Sequence, residues 1–149
     1  YKGLFALLSL AGLVLVVMGK GQAPFVAVWN PPLFLKHVTM LLMLPAFILL
    51  VSAYVPSNIR RKVRHPMLLA VKLWATGHLL INGDLASMSL FGSFLAYGVI
   101  AMISANKRGE ATVHPAKPIY MDVVVVLVGL GVYLGVAMKH YQLFGVPIF

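Results

Sequence analysis

Cysteine is absent from the 149 residues, and the only acidic side chains are Asp84, Glu110 and Asp122. The first absence excludes disulfides, thiolate nucleophiles, Cys-ligated zinc, iron–sulfur clusters and cysteine-ligated haem, leaving His, Met and carboxylates as ligands. The second leaves little room for a carboxylate-rich metal site or an acid–base dyad. There is no Gly-x-Ser-x-Gly elbow and no phosphate-binding glycine loop, so hydrolase readings lack support. Charged residues make up 10% of the chain against 61% hydrophobic, too little polar surface for a water-soluble domain. The chain reads as a membrane protein. Its net charge of +9 would suggest nucleic acid in a soluble protein, but here it must be read loop by loop against the bilayer, and no nucleic-acid partner is expected.

Five apolar segments each reach across, or nearly across, a ~30 Å hydrocarbon core at ~1.5 Å per residue. They are Gly3 to Met18, Leu33 to Val55, Met67 to Asn82, Ala86 to Ala105 and Ile119 to Lys139. The expected fold is therefore an all-α polytopic transmembrane bundle of five helices, forming one domain over residues 1–149. The sequence opens at Tyr1 without an initiator Met, and its first apolar run is longer than a signal-peptide core. A sixth, N-terminal helix is therefore allowed for. Pro45 falls inside the second segment, where it frees the carbonyl near Leu41 and is expected to kink the helix. Gly131 with Gly135, and Gly92 with Ala96, have the spacing of small-residue packing faces.

The loop 56–66 carries Arg60, Arg61, Lys62 and Arg64, and the loop 106–118 carries Lys107, Arg108 and Lys117. Two spans separate them, which puts both on one side together with Lys2. The opposite side holds only Lys20, Lys36 and Lys139, while Lys72 lies within a span and is expected to snorkel. By the positive-inside rule the basic loops face the cytoplasm, consistent with a bacterial inner membrane. The basic run is topogenic and available to anionic lipid.

On that topology His37, His78 and His140 approach the non-cytoplasmic face, whereas His65 and His114 lie in the basic loops. His37 and His78 each sit roughly 6 Å inside a helix end. An imidazole in lipid takes an interhelical hydrogen bond, a proton-relay role or a metal such as haem iron, and spacing alone leaves these open, as it does simple packing. Trp74, His78 and Asn82 recur at every fourth residue, a stripe able to seat a planar ligand with polar support. Were haem b held between the second and third segments, its propionates would meet Lys36, Lys139 and Lys20. His140 is expected to close the last helix, and Asp122 to answer the dipole of its first turn. The "NGD" turn at Asn82 to Asp84 needs no catalytic reading.

The stretches "HVTMLLMLPAFILLVSAYVP", "RHPMLLAVKLWATGHLLINGDLASMSLFGSFLAYG" and "LFGVPIF" resemble the NnrU family of bacterial membrane proteins. The resemblance spans nearly the whole chain and rests most firmly on the ordered set His37, Pro45, Arg64–Pro66, Lys72, His78 and "NGD". It implies an association with nitrite and nitric oxide metabolism in denitrifying bacteria. A plant branch is similar to 15-cis-zeta-carotene isomerase, a haem b enzyme in which "RHP" is followed thirteen residues later by a haem-ligating histidine. Here those positions are His65 and His78, so the resemblance implies haem ligation by His78. The family's other ligand lies in a helix preceding the residues given, which makes His37 the natural substitute or a neighbouring group.

Three functions follow as expectations. The first is a haem b protein, with His78 and His37 as metal ligands and Trp74 and Lys36 lining the cofactor, whose iron serves electron transfer or sensing, binds nitric oxide, or isomerises a polyene. The second is an accessory or assembly subunit of a respiratory or denitrification complex, with partner subunits or further copies of itself. The third, a membrane methyltransferase, draws on "RHP" alone, because the "MLLAVKL" that follows lacks the aromatic residue and glycine of those enzymes.

Overall fold

Proline marks most of the helix boundaries. Pro31 and Pro32 stand before one helix, Pro56 interrupts the chain after it, Pro66 occupies a first helical position and Pro118 precedes the last helix. Each lacks the N–H that a helix interior needs, and none is penalised for that at a start. The computed structural model describes residues 2–109, 114–146 and 148. Its helices are α1 (Lys2–Gln22), α2 (Phe34–Ser52), α3 (Asn58–Lys62), α4 (Pro66–Ile81), α5 (Leu85–Lys107) and α6 (Ile119–Phe144).

The five expected helices are present, and α3, a single short turn in the first basic loop, brings the number to six. Four helices, α1, α2, α5 and α6, are long and apolar enough to cross a membrane. With 16 residues, α4 rises about 24 Å and falls short of the full hydrocarbon thickness. The architecture is a polytopic helical membrane bundle. Residues 110–113 of the second basic loop, and Pro147 and Phe149 of the closing "LFGVPIF", lie outside the described residues.

Neighbouring helices follow the order α6, α2, α4, α5, and among the described residues α1 meets the bundle chiefly at α5. In lipid there is no hydrophobic drive to bring them together, so close backbone approach and interhelical hydrogen bonds do the work. Gly77 of α4 lets Thr39 and Met43 of α2 lie against its backbone, since a Cβ there would meet Met43 Cε at 2.6 Å. The Thr39 hydroxyl donates to the Gly77 carbonyl at 2.8 Å. Gly129 of α6 admits Ile48 of α2, whose Cα would lie 2.8 Å from an added Cβ. The packing glycines differ from those expected: an added Cβ at Gly92, Gly131 or Gly135 would meet nothing within 4 Å. Gly131 and Gly135 have the right spacing but turn outward, because the face of α6 that meets α2 runs through Val125, Gly129 and Ala137.

Lys72 runs along α5 towards the arginine-rich end. Its stem lies on Gly98 of α5 and its ammonium reaches Met102 Sδ at 3.0 Å, so it seals the α4–α5 seam. At the arginine-rich end, Asp122 does more than face a dipole. Its carboxylate accepts from Asn58 Nδ2 at 2.7 Å and from the Ile59 N–H at 3.0 Å, which ties α3 to the start of α6.

Candidate functional site

The other end of the bundle is built on the "NGD" turn between α4 and α5. The segment before α2 folds back onto it: the N–H groups of Val28 and Trp29 donate to the Gly83 carbonyl at 2.7 and 3.2 Å, and the Leu85 N–H donates to the Val26 carbonyl at 2.9 Å. Gly83 is required here by close approach, since a Cβ would fall 1.9 Å from the Trp29 carbonyl oxygen. Asp84 is buried, caps α5 by accepting from the Ser87 N–H at 2.9 Å, and pairs with Lys20 of α1 at 3.2 Å. Burial alone would raise its pKa, but the Ser87 hydrogen bonds and the Lys20 ammonium outweigh that and hold the carboxyl below its ordinary value. Lys20 is thus committed to Asp84 rather than kept for a cofactor's propionates.

His78 lies in the last turn of α4, just below this latch. Its Nδ1 stands 2.9 Å from the Trp74 carbonyl, one turn back. That oxygen can only accept, so Nδ1 carries the proton and Nε2 keeps its lone pair. Nε2 has no hydrogen-bond partner among the described residues. Asn82 completes the stripe by donating its Nδ2 to the His78 carbonyl at 2.7 Å, closing the helix end.

The ring itself is held by aromatics. Its centroid lies 5.0 Å from that of Trp74 and 4.5 Å from that of Phe91 on α5, and Trp74 makes edge contacts with Phe91 and with Phe94. Stacking on the imidazole face fixes its plane without engaging the nitrogen edge. Phe91 and Phe94 were not legible as site residues, because two phenylalanines one turn apart in a wholly apolar helix carry no distinguishing signal.

The structure brings Trp74 and His78 together but places His37 and Lys36 elsewhere. His37 is exposed and Lys36 half-exposed, and neither has a side-chain hydrogen bond among the described residues. His37 is two residues from Thr39, about 200° round the helix from the side that meets α4. It belongs to the α6 side of α2. Counting eleven residues back from Ile48 and eleven forward from its neighbour Gly129 reaches His37 and His140, about three turns along two antiparallel helices. The two histidines therefore share a level.

His140 does not end its helix, since α6 continues to Phe144 and is closed by Gly145, in the left-handed conformation. Its Nδ1 lies 2.7 Å from the Val146 carbonyl, which again leaves Nε2 as the lone-pair nitrogen. No group of three His, Asp or Glu side chains is gathered for a bare metal ion among the described residues. Haem asks for less: one or two neutral imidazoles, each with a free nitrogen and a partner fixing the other, in apolar surroundings. His78 fits that requirement, His140 fits its donor chemistry, and His37 lacks the orienting partner.

No curated protein and no solved structure matches this chain. A family model does, described as NnrU protein, over residues 1–148. With the match covering the helices, the "NGD" latch and all five histidines, the chain belongs to the NnrU family.

Proposed function

We propose that this protein is a haem b-binding integral membrane protein in which His78 supplies an axial imidazole. The observation that carries the proposal is the orientation of that ring, with Nδ1 on the Trp74 carbonyl and Nε2 without a partner. Bound haem would supply a redox-active iron able to take a small ligand such as nitric oxide or an apolar polyene. The chain's own part is to fix the imidazole tautomer through Trp74, hold the ring plane with Phe91, and exclude water with the aromatic cluster.

His140, with its tautomer already set, would be the second histidine to hold the iron. The site sits at the end of the bundle away from the arginine-rich loops 56–66 and 106–118. Those loops face the cytoplasm under the positive-inside rule, and the membrane is the inner membrane of a bacterium. A role in denitrification rests on the family alone.

Pyridine haemochrome on the detergent-purified protein tests the reading. One b-type haem per chain is expected, with loss of at least ~80% of it in His78→Ala and little change in His65→Ala. A haem-free wild-type protein, purified from haem-replete cells, would defeat the proposal.

The accessory-subunit reading draws on a separate observation. The apolar α1 is exposed from Gly3 to Gln22 and meets the bundle chiefly at α5, which leaves most of its surface for lipid or another protein. It predicts a stoichiometric companion after gentle solubilisation, and recovery of the free chain under both aerobic and nitrite-respiring growth would remove it.

A further inference from the structure

At the arginine-rich end, the web around α3 frames a second site, remote from His78. A cavity of about 190 Å³ opens between the turn before α3 and the approach to α6, walled by Pro56, Ser57 and Pro115 and lined by Arg60, His114 and Lys117. Among the described residues no acidic side chain lines it. The volume is below the roughly 300 Å³ at which pockets for drug-sized molecules begin, and suits one compact anionic group.

The cations in this cavity differ from the rest of the basic run. Arg61, Lys62 and Arg64 are exposed, as charges that serve only to set topology should be, whereas Arg60 and Lys117 are drawn partly into the protein. Neither has an ion-pair partner among the described residues. Two cations lining one small cavity favour an anion that joins them.

Their positions are also fixed before any ligand arrives. Asn58 donates to the Lys117 carbonyl at 2.7 Å and accepts from the Lys117 N–H at 2.9 Å, while Asp122 binds Asn58 and Ile59. Ser57 accepts from the Arg60 N–H at 3.2 Å. These bonds use the backbone of Lys117 and of Arg60, and leave the ammonium and guanidinium for the cavity. A guanidinium fork with an ammonium beside it is a phosphate-binding pair.

We propose that this cavity binds the phosphate of an anionic phospholipid headgroup. Exposed apolar side chains adjoin its lining residues in sequence, Tyr54 two positions before Pro56 and Ile119, Tyr120 and Val123 on the first turns of α6 after Lys117, giving acyl chains a surface to follow. A free phosphate would have the same polar contacts and no use for that surface.

Native mass spectrometry of the full chain in detergent, titrated with dioleoyl phosphatidylglycerol or dioleoyl phosphatidylcholine, tests this. The expected result is at least ~5-fold preferential retention of phosphatidylglycerol, lost in Arg60→Gln and Lys117→Gln, with less than ~2-fold change in Arg61→Gln. Equal losses in all three variants would reduce the effect to diffuse surface charge and overturn the site. Equal retention of both lipids would do the same. Inorganic phosphate at millimolar concentration is expected to displace little of the lipid, and full displacement would overturn the lipid assignment. Unchanged thermal midpoints for the variants, expected because the web holds only their backbones, show that any loss is of ligand and not of fold.

Discussion

At the scale of single residues, Asp84 shows how a polar group is made tolerable at a membrane boundary. Three roles meet on one residue: its carboxylate caps α5 and pairs with Lys20, and its backbone is the strand-like partner of Ala27. Its carboxyl is held below the ordinary value despite burial, so folding favours the ionised form. That stabilisation is complete above the unfolded pKa of about 3.9 and is lost as pH falls through the lowered folded value. In detergent, the thermal midpoint of the wild-type protein is expected to drop as pH falls below about 4 more steeply than that of Asp84→Asn. Superimposable pH curves would mean that the latch carbonyls and not the carboxylate hold the turn.

Single residues also mark where sequence reading runs out. The position of His78 was legible from its depth in an apolar run, and Trp74 from its spacing. The engagement of Nδ1 by the Trp74 carbonyl was not, because it depends on a rotamer that spacing leaves free. His37 matched His78 in depth, yet depth is one coordinate and rotation about the helix is another. Thr39, bonded to α4, turns His37 to the other side.

Among the elements, helix limits were legible wherever proline or glycine enforces them, at Pro66, Pro118 and Gly145. The short α3 was hidden because its five residues are chiefly basic and its stability comes from Asn58 and Asp122, contacts made across 59 to 64 positions of sequence. The glycine faces were misread for a physical reason. In a helix that is apolar all round, periodicity names no preferred side, so Gly131 and Gly129 look alike until α2 is in place.

That difference is measurable. Gly129→Ala is expected to destabilise the bundle by about 1–3 kcal/mol, since its Cβ must displace the Ile48 backbone. Gly131→Ala and Gly135→Ala, which meet nothing within 4 Å, should stay within about 0.5 kcal/mol of wild type. Thermal unfolding in one detergent, with the three variants side by side, decides it. Comparable losses at all three positions would contradict this α2–α6 interface.

For the molecule as a whole, the two ends are specialised. One gathers cations around a phosphate-sized cavity, and the other holds His78 in its aromatic cluster beneath a latch that joins α1, the segment before α2, and the α4–α5 turn. The rigid centre keeps them apart: α2, α4 and α6 are locked by Gly77, Gly129 and the Thr39 hydroxyl. Composition made the membrane bundle legible at once. The latch was not, because its hydrogen bonds run between backbone groups of segments more than fifty residues apart.

The central claim is that His78 Nε2 is a ligand-binding nitrogen and not an idle edge in an aromatic cluster. The most direct measurement is the reduced-minus-oxidised visible spectrum of His78→Gly, purified with and without imidazole, beside wild type. Loss of the b-type signal in the variant and its return with millimolar imidazole is the predicted result, because the added ring can occupy the space left between Trp74 and Phe91. A wild-type spectrum that persists in His78→Gly without imidazole would contradict the account.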